Sequence, residues 1–429
     1  KTQPYADYAR AIRKYRSSDR LAQEIPYWNA VQKKLESLPL SDGKDYSREF
    51  ARLTVTMSAE DTERFLRTNY DAFGLTLNDA LLTAVCRSWR QVRGDRPVPV
   101  QLEGHGREEL DEPLYTDRTV GWFTSIYPVV FEGLTGDMRR DLMAVKETLH
   151  RIPHKGVGYN VLRYAGGEDA PDFHTDRIPP LSFNYLGEMD EGSPEEEAQF
   201  RAAHIDTGEA VSPRNTEGSG FSINCLTRGG VFTLTVDHDP AEFDPGQAGK
   251  IAGGILEEMR RIVTFLSETN ASMTTASDLG ETEWSEEEFE AVTADFESRG
   301  ERVERIYPLL PMQEGMLLRH LQDPEAWAYR LVDIFEMDWV PTEAQLRHVL
   351  DRMGAKHEVL RTSIVYKNVS VPRQAIIDRP LGLAMADLTA EADPETAVKR
   401  LREEILTHGY DLQDKPLFGL TCAKVSDSR

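Results

Sequence analysis

The sequence has few cysteines and no run of apolar residues long enough to cross a membrane. Its 429 residues contain three cysteines, Cys86, Cys225 and Cys422, which lie far apart and without the close spacing of a metal site. No apolar stretch approaches the roughly 20 residues that a transmembrane helix needs. These absences argue against a disulfide framework and a membrane span, and they favour a reduced, cytoplasmic protein with unpaired thiols.

Basic residues are also scarce relative to acidic ones. Lys and Arg together number 50 against 73 Asp and Glu, which gives a formal net charge of -23 at pH 7. Because this charge repels phosphate groups, we expect neither nucleic acid nor an anionic membrane surface as a partner.

The chain is too long for one average domain. With 429 residues, of which 40% are hydrophobic, it can bury two or more packed cores. It starts at Lys1 without an initiator methionine or a basic and apolar leader. We therefore expect no secretion signal, and we expect the sequence to be a piece of a longer protein.

Helical and strand-like periodicities alternate through the first part of the chain. Apolar spacing predicts helices over residues 5–15, 21–38 with Pro26 near its start, 58 to about 73, 77–92, 137–149, 160–164 and 245–266. Alternation predicts strands over residues 50–57, up to Glu103, 123–131 and 179–187, and a hairpin of 220–227 with 231–237. Because these elements interleave without one repeating period, the sequence predicts a mixed α/β sandwich rather than a bundle or a barrel.

The character of the chain changes between residues 269 and 305. Residues 281–290 include six glutamates, and Ser285 followed by Glu288 is typical of a capped helix start. This stretch predicts an acidic interdomain linker with one short helix, flanked by domains at 1–268 and 306–429.

The second domain opens with a helix after Pro311. The sequence then predicts a strand at 328–337, a helix at 341–356, a strand after residues 357–363, and further segments at 373–377, 394–408 and 417–425. This βαββαβ-like series stops one strand into a new element, so we expect the second domain to be truncated. Gln313 and Arg361 are interpreted as structural, a helix-side amide and an ion-pair partner at a strand start.

Glu103, His105 and Arg107 lie within five residues at the end of a predicted strand. Gly104 and Gly106 bracket the histidine and leave the backbone free to turn sharply or to approach a ligand closely. A carboxylate, an imidazole and a guanidinium at a strand end are typical of a site mounted on a rigid scaffold. A strand-to-loop corner with solvated charges is the alternative, and the spacing does not decide between them.

Five motifs occur in the order found in epimerization domains of nonribosomal peptide synthetases. They are TLNDALL at 76–82, EGHGRE at 103–108, RTVGWFTSIYP at 118–128, GVGY at 156–159 and FNYLG at 183–187. Residues 1–268 therefore resemble such a domain. Residues 306–429, with YPLLPMQEG at 307–315 and KHEVLRTS at 356–363, resemble the start of a condensation domain.

The resemblance implies a fold like that of chloramphenicol acetyltransferase, with two αβ lobes in each domain. Residues 1–268 would then be mainly the C-terminal lobe of the first domain, and residues 306–429 most of the N-terminal lobe of the second. Both families carry a His-His-x-x-x-Asp-Gly motif, and this sequence contains no adjacent pair of histidines. We therefore expect the fragment to hold half of each of two active sites and to be inactive alone.

The resemblance also implies a reaction and its partners. Epimerization domains invert Cα of an aminoacyl or peptidyl group that is held as a thioester on the phosphopantetheine arm of a carrier protein. Condensation domains then form the next peptide bond. No cofactor is implied to bind the chain directly, and the implied partners are peptidyl carrier domains and neighbouring synthetase domains.

Individual residues acquire roles from the same resemblance. It places Glu103 on one wall of the epimerase site as an acid/base group, opposite a histidine of the missing motif. It makes Tyr185 a hydrogen-bond donor to the enolate oxygen or a proton relay, although a buried strand tyrosine with a satisfied hydroxyl is an equal alternative. Further candidates for binding or for organising the site are His105, Arg107, Ser125, Trp122 and Asn184.

These further candidates have different expected roles. His105 and Arg107 are expected to organise the loop rather than to donate protons. Ser125 is expected to contact the pantetheine arm, and for Trp122 a core position is favoured over a place in the substrate wall.

Two functions of different classes stay open. The first is an epimerase region that feeds a condensation domain accepting a D-configured donor. The second is a non-catalytic scaffold that only docks a carrier domain. A plain acyltransferase of the same fold is less favoured, because the EGHGRE pattern is characteristic of the epimerizing branch.

Overall fold

The computed structural model describes residues 2–38, 50–110, 113–165, 178–189, 208, 219–269, 273–281, 283–323, 329–407 and 411–426. The chain divides into two compact units, Lys1–Thr274 and Thr275–Arg429. Within the described ranges, no helix combines the length and the apolar character needed to cross a membrane. All three cysteines carry free thiols, as the sequence predicts.

The first unit contains seven helices and six strands within the described residues. The helices are α1 Tyr5–Tyr15, α2 Asp19–Ser37, α3 Ala59–Arg67, α4 Leu77–Arg93, α5 Met138–His150, α6 Val157–Ala165 and α7 Pro245–Glu268. The strands are β1 Ala51–Thr56, β2 Val98–Gly104, β3 Ser125–Phe131, β4 Leu181–Glu188, β5 Phe221–Arg228 and β6 Val231–His238. The mixed α/β class is confirmed, and so are nearly all the predicted elements of this unit.

Two local predictions in this unit need correction. Pro26 lies in the interior of α2 rather than near its start. The helix predicted from Ser58 to about residue 73 ends at Arg67, and a separate 3-10 turn covers Tyr70–Phe73.

The six strands form one sheet in the order β1-β6-β5-β4-β2-β3. β4 pairs in parallel with both β2 and β5, whereas the remaining neighbours are antiparallel. Successive side chains of a strand point to opposite faces. On one face Leu102, Phe183 and Ile223 are buried in the main core, which also contains the apolar sides of α4 and α7. The other face carries polar side chains, including Ser182 and Ser222, whose hydroxyls lie 3.0 Å apart.

Helix α4 is stabilised by a capping box at its start and by the burial of its apolar side chains. Thr76 accepts a hydrogen bond from the Asp79 amide, and the Asp79 carboxylate accepts one from the Thr76 amide. This capping box satisfies amides that the helix cannot pair internally. The buried residues of α4 include Leu81, Leu82, Val85 and Trp89, which pack in the main core of the first unit.

The second unit contains four helices and five strands within the described residues. The helices are α8 Glu286–Ser298, α9 Pro311–Gln322, α10 Glu343–Lys356 and α11 Pro394–Thr407. The strands are β7 Arg302–Pro308, β8 Thr362–Val365, β9 Arg373–Asp378, β10 Gly382–Asp387 and β11 Gly419–Lys424. β7, β9 and β8 form an antiparallel sheet in that order, and β10 pairs in parallel with β11.

The segment predicted as a linker belongs to the second unit from Thr275 onward. The capping box of Ser285 and Glu288 starts α8 as predicted. However, Trp284 and Phe296 are buried in a core that they share with β7 and β9, and Trp284 Nε1 donates to a backbone carbonyl at 2.8 Å. The acidic residues of α8 lie on the solvent-facing side of this helix, which packs on the second core. The stretch is therefore not an unpacked linker.

The strand predicted at 328–337 is not present. Residue 328 lies outside the described residues, and residues 329–337 form no strand. Leu331 is 89% exposed and Phe335 is 86% exposed, so this segment pairs with no strand in the described part of the unit. An apolar segment does not form a stable strand without a neighbour that pairs with its backbone. Strands β7 and β10 are not predicted from the sequence.

Gln313 and Arg361 have the structural roles expected from the sequence. Gln313 accepts from the Leu310 amide at 2.7 Å, at the start of α9. Arg361 bonds Glu304 at 2.7 Å and the backbone carbonyl of Ile377 at 2.9 Å. Arg361 therefore ties the entry of β8 to its neighbouring strands.

Replacing Trp284 tests whether the acidic segment is part of the second core. We expect Trp284→Ala to destabilise the second unit by about 3–5 kcal/mol, because it leaves a cavity in that core. Amide hydrogen exchange over β7 and β9 in the 429-residue protein measures this loss. Glu287→Ala, an exposed change on the same segment, serves as the control. Equal protection of β7 in both variants would contradict the assignment.

Candidate active site

Glu103 lies near the end of β2 on the polar face of the six-stranded sheet. Val98, Val100 and Leu102 are buried in the core, whereas the alternation of the strand turns Glu103 away from the core to an exposed position. Its backbone is paired with Ile126 of β3. Partial burial of the carboxyl group raises the pKa of Glu103 above its usual value.

Asn184 is the side chain that the sheet brings to Glu103. The parallel pairing of β2 with β4 aligns Leu102 with Phe183, and it places the next residue of each strand on the polar face. Asn184 Nδ2 donates to Glu103 Oε2 at 3.4 Å. A donor at this position favours the ionised carboxylate and so acts against the effect of burial on the pKa.

Tyr185 lies on the other face of the sheet. Its backbone is aligned with that of Cys225, which is buried, and its ring centroid lies 6.2 Å from that of Phe232. Burial raises the pKa of the Tyr185 phenol. Of the two interpretations left open by the sequence, this placement supports the half-buried strand tyrosine. It does not place the phenol beside Glu103.

The loop after Glu103 is held in a sharp turn. Gly106 has φ 68°, and a Cβ on this residue would lie 1.6 Å from the Phe123 carbonyl oxygen. His105 is 67% exposed, and its Nδ1 accepts from the Arg107 amide at 3.0 Å. Its Nε2 lies 3.1 Å from Glu108 Oε1. These contacts all lie within the loop, which fits the organising role predicted for His105.

Arg107 ties the turn to the segment that leads into β3. Its guanidinium donates to the backbone carbonyls of Thr116 and Thr119, the second at 3.0 Å. The guanidinium carbon also lies 3.8 Å from the centroid of the Phe123 ring, a cation–π geometry. These contacts fasten the loop after Glu103 to the segment that leads into β3.

Ser125 and Trp122 depart from their expected roles. Ser125 is 3% exposed, and its Oγ donates to the Lys155 carbonyl at 3.1 Å, so it is not displayed for a pantetheine arm. Trp122 is 81% exposed, which overturns the expected core position. Its backbone carbonyl accepts from the Tyr5 hydroxyl at 2.8 Å. This bond fixes the backbone and leaves the indole outside the core.

Sequence reasoning missed a buried polar cluster close to the end of β2. Glu24 of α2 is 3% exposed, and its carboxylate accepts from Trp28 Nε1 at 2.9 Å and from the Tyr15 hydroxyl. His154 Nδ1 lies 2.6 Å from Glu24 Oε1. A signal for it was present, because Glu24 falls on the same helical face as Leu21 and Trp28.

The described residues of the site include a carboxylate but no cluster of metal ligands. Among the residues that the structure describes, no group of three or more His, Cys, Asp or Glu is arranged to hold a metal ion. A carboxylate with a raised pKa can accept a proton from a weak carbon acid and return it.

Adding a methyl group at Gly106 tests the described geometry of the turn after Glu103. We expect Gly106→Ala to lower the unfolding midpoint of the first unit, because a left-handed backbone costs about 1–2 kcal/mol for a residue with a Cβ and the Phe123 carbonyl leaves no room. Gly249→Ala in α7, with nothing within 4 Å of the added carbon, is the matched control. Differential scanning calorimetry measures both variants, and equal midpoints would contradict this geometry.

Comparison with known proteins gives consistent results. The family model described as "Condensation domain" matches residues 1–283 and 303–429. Bacitracin synthase 3 of Bacillus licheniformis is 29% identical over 434 residues, which cover 100% of this chain and 7% of that protein. Bacitracin synthase 1 of the same organism is 30% identical over 440 residues, covering 100% and 8%. The chain therefore spans less than a tenth of the length of these relatives.

A solved structure shares the fold of part of the chain. The epimerization domain from the third module of tyrocidine synthetase B is 28% identical, with a TM-score of 0.54, and the match covers 62% of this chain and 60% of that one. The expected lobes, like those of condensation and epimerization domains, are thereby confirmed as the fold class.

Proposed function

Because the chain belongs to the condensation-domain family of nonribosomal peptide synthetases, we propose that its first unit is part of an epimerization domain. In this proposal the unit inverts Cα of an aminoacyl or peptidyl thioester carried on the phosphopantetheine arm of a carrier domain. Glu103 is one of its two acid/base groups. The observation that carries the proposal is the place of Glu103, a carboxylate of raised pKa on the polar face of the sheet beside Asn184.

The chemistry of inversion suits this carboxylate. The thioester carbonyl acidifies the Cα–H bond, because the electron pair released on its cleavage is delocalised onto the carbonyl oxygen as an enolate. Glu103 takes the proton from one side of Cα, and a second group delivers a proton to the opposite side. A general base of this kind works best when its pKa lies close to the working pH, and burial moves the Glu103 pKa in that direction.

The second acid/base group comes from outside this sequence in our proposal. The resemblance assigns it to the His-His-x-x-x-Asp-Gly motif, and the chain contains no adjacent histidines. One group on one side of Cα can exchange its proton but cannot invert it. We therefore propose that this stretch of polypeptide does not epimerize on its own.

The second unit is proposed to be the N-terminal lobe of a condensation domain, which would receive a D-configured donor from the epimerization domain before it. The order of the two units in the chain supports this assignment. We include the acidic residues 281–290 in the second unit, and the burial of Trp284 and Phe289 in its core supports this choice.

Carrier docking without catalysis is the second candidate function. It is favoured by the exposed apolar side chains Val120 and Trp122, which are 96% and 81% exposed on the segment that precedes β3. Binding of a loaded carrier domain, without any exchange at Cα by the complete synthetase, would support this candidate over the epimerase.

Removal of the carboxylate tests the epimerase directly. In the complete synthetase, we expect Glu103→Gln to slow the loss of deuterium by about a hundredfold or more from one of the two Cα-deuterated enantiomers, L or D, of a carrier-bound aminoacyl thioester, because Glu103 serves one side of Cα only. Mass spectrometry of the released aminoacyl arm measures this loss. Glu109→Gln, an exposed change in the same loop, is the matched control and should keep the wild-type rate. Unchanged washout from both enantiomers in Glu103→Gln would rule out the assignment.

The pH dependence tests the environment of Glu103. Because burial raises the pKa of this carboxyl, deuterium washout should fall as the pH drops through a value above that of an ordinary glutamate. Asn184→Asp replaces the donor with a like charge, so the acidic limb of the profile should move to higher pH. If the acidic limb of the pH profile of Asn184→Asp stays at the wild-type pH or moves to lower pH, the described contact between the two side chains is contradicted.

A further inference from the structure

Glu24, Tyr15, Trp28 and the half-buried His154 form a polar cluster, and the residue after His154, Lys155, contacts the end of the β2–β3 pair that carries Glu103. Glu24 receives three donors at once, from an indole, a phenol and an imidazole, while its side chain is almost completely enclosed. A buried carboxylate persists only when such partners replace water. The cluster therefore fixes the position of the His154 ring with respect to helix α2.

His154 belongs to a strained turn. His154 has φ 43° and Lys155 has φ 48°, and Gly156 follows with φ 79°. A left-handed backbone is unfavourable for residues with a Cβ, and two such residues in succession persist only when their surroundings hold them. His154 Nδ1 lies 2.6 Å from Glu24 Oε1 and 3.1 Å from the Tyr15 hydroxyl oxygen, and these side-chain contacts hold the first of them.

This turn presses against the end of β2. The Lys155 carbonyl accepts from Ser125 Oγ at 3.1 Å, and Ser125 is aligned with Gly104, the residue after Glu103. A Cβ on Gly104 would lie 2.7 Å from Ser125 Oγ and 2.8 Å from the Lys155 oxygen. The backbone next to Glu103 therefore has no space to move toward the turn.

We propose that Glu24 and His154 are positioning residues for Glu103. Their contact holds the left-handed turn, the turn holds Ser125 through the Lys155 carbonyl, and this packing fixes Gly104 and thus the direction in which the Glu103 carboxylate extends. The inference rests on the proposed function, in which Glu103 is an acid/base group. Neither Glu24 nor His154 contacts the substrate in this account.

A pair of amide substitutions separates this role from a general loss of packing. In asparagine the side-chain nitrogen stands about where Nδ1 stands in histidine, and asparagine tolerates a left-handed backbone. In glutamine the nitrogen lies one bond further out. In the complete synthetase, we expect His154→Gln to lower kcat for Cα exchange about tenfold to a hundredfold with KM for the loaded carrier unchanged. His154→Asn should recover most of the loss.

Amide hydrogen exchange provides a readout besides activity. We expect faster exchange at residues 103–106 and 125–127 in His154→Gln, wild-type exchange there in His154→Asn, and no change over α4 and α7 in either variant. Glu63→Gln, an exposed change on α3, is the control. Should His154→Gln not fold, Glu24→Gln, which removes the charge and replaces one acceptor oxygen with an NH2 donor, is measured in the same way.

Three outcomes would overturn the inference. They are equal kcat values for the Asn and Gln variants, a KM effect without a kcat effect, and a loss of protection that spreads evenly over the unit. Failure of the proposed function looks different, because Glu103→Gln would then keep wild-type washout. In that case the proposed role of Glu24 and His154 in catalysis is rejected together with the proposed function. The amide hydrogen exchange at residues 103–106 still shows whether the cluster holds the end of β2 in place.

Discussion

The parallel pairing of β2 with β4 is the constraint on which the candidate site depends. Because side chains alternate along a strand, a shift of one residue in this register would turn Glu103 into the core and Leu102 out of it. The buried side chains Val98, Val100 and Leu102 set the register by the apolar surface that they remove from water. The same pairing brings Asn184 to the carboxylate, so the core and the site are specified together.

The loops around the carboxylate are held by contacts within the protein. Arg107 bonds two backbone carbonyls, and Ser125 bonds a third. Both residues sit in motifs that first point to ligand binding, yet their polar groups are engaged by the chain itself. Glu103 extends from the polar face beside Asn184, and the imidazole of His105 and the indole of Trp122 are exposed as well. A loop held by its own contacts suits a site that must hold one base in a fixed direction.

The sequence predicted most helices and strands of the first unit because each has its own periodicity and caps, such as Thr76 with Asp79 before α4. It predicted less where the outcome depends on distant partners. The face on which Tyr185 lies follows from its pairing with Cys225, and residues 329–337 lack a strand because no strand in the described part of the second unit pairs with them. The buried role of Glu24 requires His154, far away in the chain, and a single sequence does not show that contact.

The central claim is that Glu103 serves one side of Cα only. The most direct measurement uses the complete Glu103→Gln synthetase in D2O. It is incubated in separate reactions with the carrier-bound L-aminoacyl thioester and with the D-aminoacyl thioester, and deuterium uptake and inversion at Cα are followed in each. The account predicts that inversion stops from both, while uptake stops from one enantiomer and continues from the other through the opposing group. Equal uptake from both enantiomers, or inversion at the wild-type rate, would contradict it.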